Sequence, residues 1–443
     1  MANHRSLVRR TAGLAAGLFL AVQAVAPCTL AVMSGRATAN GRPLMWKNRD
    51  TSGPNNKLAF FKGPKYDFIA VVISAEPAPA AAVWGGLNTA GFAIMNAQAD
   101  DLGDAARRLD GGGNGEFMKL ALGSCATVKD LEALLAREKG KWDLATNLGV
   151  IDAEGGACFF ETRRDSFVKF DAADVRVAPF GTIVRTNFAF TSPDPLRGGG
   201  FIRFERIGHI IEAARPQGRI DARFILREAS RDLVHEKLHS NPMVRPLPDD
   251  PAAPLYINTN DTINRNSSVS ALVFEGAPSG ERPDLATMWV LLGQPVTGVA
   301  VPAWPAAGRV PTATTGPATA PLNDAALAIA AYLYPDRRGR MPQYLNVTRL
   351  RTYGGEGVLA KLLRIEDRAF TRTGERWAAW TAAKPTAAEV AEFQESIAAE
   401  AYDALTKEFA GLLGSPKSAR RPQFSVLAQI SGNSLSGLAR DMP

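Results

Sequence analysis

The chain of 443 residues has only three cysteines, Cys28, Cys125 and Cys158, and only four histidines. Cys125 and Cys158 lie in apolar contexts and read either as inert core thiols or as one disulfide. With an odd count, an exported chain keeps at least one thiol outside intramolecular pairs. No segment offers about 18 consecutive apolar residues, which leaves no ordinary membrane span and no stable membrane insertion once the N-terminus is processed. Basic runs interleaved with aromatics are also lacking. The formal charge of +7 is mild, and Arg5, Arg9 and Arg10 supply three of those charges, so nucleic acid is not an expected partner. The apolar fraction is 46%, enough to bury a large core.

The first informative stretch is the N-terminus. The three arginines precede an apolar run from Ala12 to Val25, followed by small residues in Ala24-Val25-Ala26. This is the grammar of a secretory signal, so the expected location is periplasmic or secreted. The competing readings are an uncleaved anchor and a lipid attached to Cys28, although Pro27 stands where lipidation wants Gly or Ala. The expected organisation is a signal or pro-segment over 1–27, a core over 28–305, an Ala/Pro/Thr-rich surface loop or linker over 306–322, and a helical extension over 323–443 packed on the core. Homo-oligomerisation stays open.

After Cys28 the pattern turns to short strands. Thr29 to Met33 and Pro43 to Asn48 are joined through Asn40-Gly41, a hairpin signal because both central positions need positive φ. Ala82 to Leu87 pairs with Phe92 to Asn96, and Asn147 to Asp152 with Cys158 to Thr162; Ser166 to Phe170 and Thr182 to Thr186 continue the series. Apolar spacing of three and four predicts helices over Glu116 to Leu122, Val128 to Lys139, Phe201 to Ala214, Asp221 to His239, Asp324 to Leu333 and Ala387 to Leu413. Hairpins alternating with helix pairs imply an α+β fold of antiparallel sheets covered by helices, not a parallel βαβ sheet.

Cys28 directly follows the signal segment. At a chain terminus a cysteine carries two tools, a nucleophilic thiol and an α-amine base with a pKa of about 7.7–8.0 held beside it by covalent geometry. No histidine is needed, nor a metal or organic cofactor. Such a site needs a carboxylate beside the amine, amide donors for the oxyanion and a cation near the sulfur. Strand ends offer Asp50, Asn96 and Asn187, and Arg203 offers the cation.

The ordered set Cys28-Thr29, Asn40-Gly41, Asn48-Arg49-Asp50, Gly86-Leu87-Asn88-Thr89-Ala90-Gly91-Phe92, Thr186-Asn187 and Arg203-Phe204-x-Arg206 resembles the choloylglycine hydrolase and penicillin V acylase family, and equally the related acyl-CoA:6-aminopenicillanate acyltransferases. The resemblance covers roughly residues 28–208. It implies a four-layer αββα sandwich of the N-terminal-nucleophile (Ntn) hydrolase type. It also implies cleavage or transfer of an acyl group from a linear, non-peptide-chain amide, a small molecule, through a Cys28 thioester. Carried over, Cys28 is the nucleophile, Asp50 the carboxylate beside its amine, Asn96 and Asn187 the oxyanion donors and Arg203 the cation. The family usually has Arg-Asn-x-Asp where this chain has Lys47-Asn48-Arg49-Asp50, so Lys47 and Arg49 both remain candidates there. A short gap before Asn96 leaves Asn88 as its rival. Taken singly, Asp50 is also turn chemistry, the asparagines also cap strand ends, and Arg203 also suits a solvated helix face.

One motif competes. His235-Glu236-Lys237-Leu238-His239 matches HExxH, which on a helix puts two zinc ligands on one face with Glu236 as base. Ser240-Asn241-Pro242 stops that helix at once, and no extended third-ligand pattern follows. A third reading is an exported binding protein without catalysis on the same scaffold.

Overall fold

A computed structural model describes residues 27–77, 80–103, 112–250, 252–277, 280, 282–335, 342–352 and 354–414. The signal-segment reading of residues 1–26 lies outside the described residues, as does the chain beyond residue 414. No described helix is long and apolar enough to cross a membrane.

The strands run in chain order β1 (Thr29–Met33), β2 (Leu44–Asp50), β3 (Asn56–Phe61), β4 (Phe68–Ile73), β5 (Gly85–Asn88), β6 (Ala93–Gln98), β7 (Thr146–Ile151), β8 (Ala157–Thr162), β9 (Phe167–Asp171), β10 (Thr182–Arg185), β11 (Tyr256–Asn258), β12 (Ser268–Glu275), β13 (Thr287–Leu292), β14 (Ala300–Ala303) and β15 (Tyr344–Asn346). They form a six-stranded antiparallel sheet in the order β10-β1-β2-β12-β13-β14 and a seven-stranded antiparallel sheet in the order β3 to β9, with β11 and β15 paired apart.

Both faces of each large sheet are buried, because alternate side chains of one strand join different apolar clusters. Leu30 and Val32 of β1 meet Leu87, Met95 and Phe159 of the other sheet. Ala31 and Met33 instead join Ile207 and Ile211 of the helix Phe201–Ala214 on the far side, together with Trp380 and Phe393. On the seven-stranded sheet, Ile94 and Phe160 pack with Phe117 and Leu122 of α1 (Asn114–Ser124) and Leu131 and Leu134 of α2 (Val128–Arg137). The helix Phe201–Ala214 is hereafter α3. Helices Pro321–Leu333, Val358–Ala382 and Ala387–Glu408 complete the described fold.

Three expectations are corrected. The link between β1 and β2 is a ten-residue connection through a 3-10 turn at Gly35–Ala37, not a two-residue hairpin. Gly41 alone has positive φ (73°), so Asn40 does not share the mirror-image turn. The helix expected over Asp221 to His239 ends early. Asp221 caps Ala222–Phe224, a π-type turn covers Ile225–Ala229, and the HExxH residues form a 3-10 turn at Glu236–Leu238 with His239 left-handed (φ 49°). The segment 306–322 is irregular but is not merely surface: Ala307, Ala313 and Ala320 are buried, and its end already begins the helix Pro321–Leu333.

Candidate active site

Strand register assembles the site. β1 and β10 pair with Leu30 opposite Arg185, and β1 and β2 pair with Thr29 opposite Asn48. Continuing both ladders by one or two residues brings Cys28 beside Asn187 and Arg49. The main-chain N of Cys28, an amide nitrogen while Pro27 is attached, donates to Asn187 Oδ1 at 2.8 Å. Asn187 Nδ2 donates to Gln98 O at 2.8 Å, which ties this corner to β6 of the other sheet.

Arg203 enters from the first turn of α3 and is 2% exposed. Its Nη1 donates to Cys28 O at 2.6 Å and Thr29 Oγ1 at 2.7 Å, and its Nη2 to Asn187 Oδ1 at 3.0 Å. The helix N-cap is Gly200 at φ 85°, where a Cβ would collide with the Arg203 guanidinium and press on Thr186. Glycine is therefore required for the fork to reach the strand. Burial pushes the guanidinium down to about 10, against the pull of Asp50 and Cys28, and it stays cationic at neutral pH.

Asp50 ends β2. The register against β12 slips between Ser268 and Ser270, so Asp50 faces Ser268 while Arg49 faces Ser270. Such a bulge re-aims a side chain at a strand end. Ser268 Oγ donates to Asp50 Oδ1 at 2.6 Å, and Arg265 Nη1 lies 3.7 Å from Oδ2. Oδ2 is buried and accepts no hydrogen bond among the described residues. Burial pushes this carboxyl above the usual range, opposed by Arg265, Arg203, Ser268 and Lys47.

Lys47 and Arg49 share the face of β2 that meets the second sheet. Lys47 Nζ donates to Asn96 Oδ1 at 2.9 Å and Trp84 O at 2.8 Å. Burial brings its ammonium down to about 8, and the charge of Cys28 acts in the opposite direction. Arg49 Nη1 donates to Asn56 Oδ1 at 2.6 Å, and its guanidinium lies 4.9 Å from the centre of the Trp84 ring. It is brought down to about 10 by burial, with Cys28 and Asp50 opposing. Asn96 Nδ2 donates to Thr146 Oγ1 at 3.3 Å. Cys28, Lys47, Arg49, Asp50, Asn96, Asn187 and Arg203 are thus all buried and linked by hydrogen bonds or charge. Burying an ion costs several kcal/mol; four in one corner are not needed to pack a core.

Asn88 is elsewhere. Its Nδ2 donates to Leu122 O and Cys125 O, and its Oδ1 accepts from Ala90 and Phe92 N. With both amide hydrogens spent it holds the β5–β6 turn against α1, which removes it as rival to Asn96. Cys125 and Cys158 are unbridged thiols in the cluster under α1 and α2, pushed by burial up to about 11 and about 12. Glu236 contacts His209 (2.8 Å) and Arg206 (3.5 Å) at the surface of α3. The turn at 235–239 is not the helix that the zinc motif requires. No group of three or more His, Cys, Asp or Glu suited to a metal occurs among the described residues.

With this geometry in place, the comparisons are sparse. No family model matches the chain, and no curated protein matches it. Among solved structures, the C2A mutant of conjugated bile acid hydrolase from Clostridium perfringens is similar at 10% identity, over 62% of this chain and 92% of that one, with a TM-score of 0.38. Penicillin V acylase from Agrobacterium tumefaciens is similar at 16% identity, over 62% and 85%, with a TM-score of 0.37. The R18L variant of the Clostridium hydrolase gives 10%, 60% and 89%, and 0.36. Likenesses this distant do not say what the chain does, so the residues must.

Sequence reading missed Arg265, Ser268 and Gln98. Arg265 stands on the approach to β12, a strand with no clear period-2 signal, and Ser268 begins it; Gln98 enters through its backbone, which no side-chain pattern reveals. A cavity of about 760 Å³ is lined by Tyr256, Arg349, Lys361 and others, none of them site residues.

Lys47 allows a stability test. Its folded pKa is lowered to about 8 from 10.5. Relative to the unfolded chain, the folded chain therefore gains stability as pH rises from about 8 to 10.5 and loses it as pH falls back through 8. Between pH 7 and pH 10.5 the stability of wild type relative to Lys47→Met should rise by about 3 kcal/mol. Urea midpoints of both proteins across that range check this; parallel curves would contradict it.

Proposed function

We propose that this chain is an exported N-terminal-nucleophile amide hydrolase or acyltransferase whose nucleophile is Cys28, exposed as the first residue by removal of residues 1–27. The observation that carries the reading is the Asn187–Arg203 clamp on Cys28 N and O. It fixes the one residue whose terminal amine and thiol would act together. The apolar clusters support a four-layer αββα sandwich: one lies between the sheets, and one under helices on each outer face.

In this mechanism the freed Cys28 α-amine takes the thiol proton as Sγ attacks the carbonyl carbon of a linear amide. Electrons move onto the carbonyl oxygen. Asn96 and Asn187 are the candidate donors to that oxyanion. Collapse breaks the C–N bond, the departing nitrogen takes the proton from the α-ammonium, and a thioester remains on Sγ. Water then releases the acid, or a second amine receives the acyl group. Asp50, with Oδ2 unsatisfied, is the carboxylate available to the α-ammonium. Lys47, Arg49 and Arg203 are the cations that interact electrostatically with Cys28. The substrate is a small acyl amide, and the residues need no cofactor.

The reading is tested at the N-terminus. Active protein recovered from the exporting cell should begin at Cys28 by N-terminal sequencing. Full activity in protein that begins at Met1 or Val25 would sink it, because Cys28 N would then be an amide and no base.

A further inference from the structure

The HExxH segment has no zincin geometry, yet it borders something. Residues 233–242 and 257–261 enclose a cavity of about 200 Å³, with Leu233, His235, Leu238, Asn258, Asn260 and Asp261 among its walls. His235 is held in the turn, its Nδ1 accepting from Leu238 N at 3.2 Å.

Both walls are continuous along the chain with residues that partner the Cys28 site. The segment that starts at Asn258 ends at Arg265 and Ser268, the two partners of Asp50. The opposite wall follows Asp232, whose carboxylate grips Arg206 at 2.9 and 2.7 Å, one turn along α3 from Arg203. Asp261 itself acts electrostatically on Arg203. Arg203 is already committed to Cys28 O, Thr29 and Asn187. Asp261 is exposed, and its carboxylate makes no ion pair among the described residues. The walls thus present one exposed carboxylate, hydrogen-bonding amides, the His235 ring and apolar side chains, with no Lys or Arg lining the cavity.

We infer that this cavity receives the amine half of the substrate and that Asp261 selects a departing amine bearing a second, positively charged group. The volume suits a short chain: the 200 Å³ of space accommodates a diamine or basic-amine fragment, not a polycyclic one. A carboxylate-bearing amine such as glycine would face Asp261 with like charge. This inference rests on the Cys28 reading for its role in turnover but not for the binding it requires.

The test uses the processed full chain with 1,4-diaminobutane and glycine as probes, titrated by NMR. Wild type should bind the diamine in preference to glycine. Asp261→Asn should weaken diamine binding about three- to fivefold, the range for one partly screened ion pair. Asp261→Arg should reverse the preference. Asp261 is exposed, so both variants should fold, which circular dichroism verifies. Amide pairs sharing an acyl group should show the same shifts in kcat/KM. Diamine binding equal in wild type and Asp261→Asn would overturn the inference. The Cys28 reading fails differently: diamine binding would persist, in Cys28→Ala as well, while no acyl group ever appears on Cys28.

Discussion

A processed and folded Cys28→Ala protein should show no amide cleavage above background, and Cys28→Ser should fall steeply as well. Neither change should unfold the chain. Cys28 precedes the first strand and contributes little volume to the cluster between the sheets, and the Asn187–Arg203 clamp holds its main chain. The serine variant keeps the amine and the clamp but replaces a thiol by a hydroxyl, a far weaker nucleophile near neutral pH. Mass spectrometry of each variant must establish removal of residues 1–27 before rates are compared, because an unprocessed variant lacks the amine for a different reason. Near wild-type hydrolysis by processed Cys28→Ala would remove the thiol from the mechanism.

Asp50→Asn should separate activity from stability. The amide can still accept from Ser268 but offers no charge to an α-ammonium, so kcat should drop by at least about 10²–10³, the scale of losing a key electrostatic contact in a site. Stability should move the other way or stay level. Burial raises the folded pKa of Asp50 above its unfolded value, so its contribution to stability is complete below the unfolded pKa and lost as pH rises through the folded one. At neutral pH the buried carboxyl therefore costs stability that asparagine does not. A thermal midpoint at or above wild type together with lost turnover is the expected pair. Parallel loss of both would mean that Asp50 serves the fold through Arg203 and Arg265 and not the chemistry.

Legibility in the sequence followed burial and locality. The β5–β6 and β7–β8 pairs were readable because their turns and apolar alternation are local, and α3 was read to both its ends. Strands β12 to β14 were not, since both faces are buried and a continuous apolar run carries no period. The helix Val358–Ala382 was missed although Val358, Leu362, Ile365 and Ala369 recur at three and four; charged residues crowd the intervening positions. The false helix over Asp221 to His239 failed through tertiary partners. Asn48 Nδ2 donates to Ser230 O, and Arg231 is drawn into a buried ion pair with Glu366 at 2.7 Å. Those contacts outcompete local periodicity. At the site, residues at strand ends were legible because chemistry-bearing side chains there stand out from the core pattern. Asn88 misled because an asparagine that ties a turn looks like one that aims at a ligand until its hydrogen-bond partners are known.

The most direct test is to quench wild-type protein within its first turnovers of an acylating amide or ester and map the adduct by peptide mass spectrometry. The account predicts a chain beginning at Cys28 with one acyl group on that residue, labile to hydroxylamine as a thioester is, and absent from Cys125 and Cys158. An acyl group found on another residue, or turnover with Cys28 unmodified and blocked by a preceding peptide bond, would contradict it.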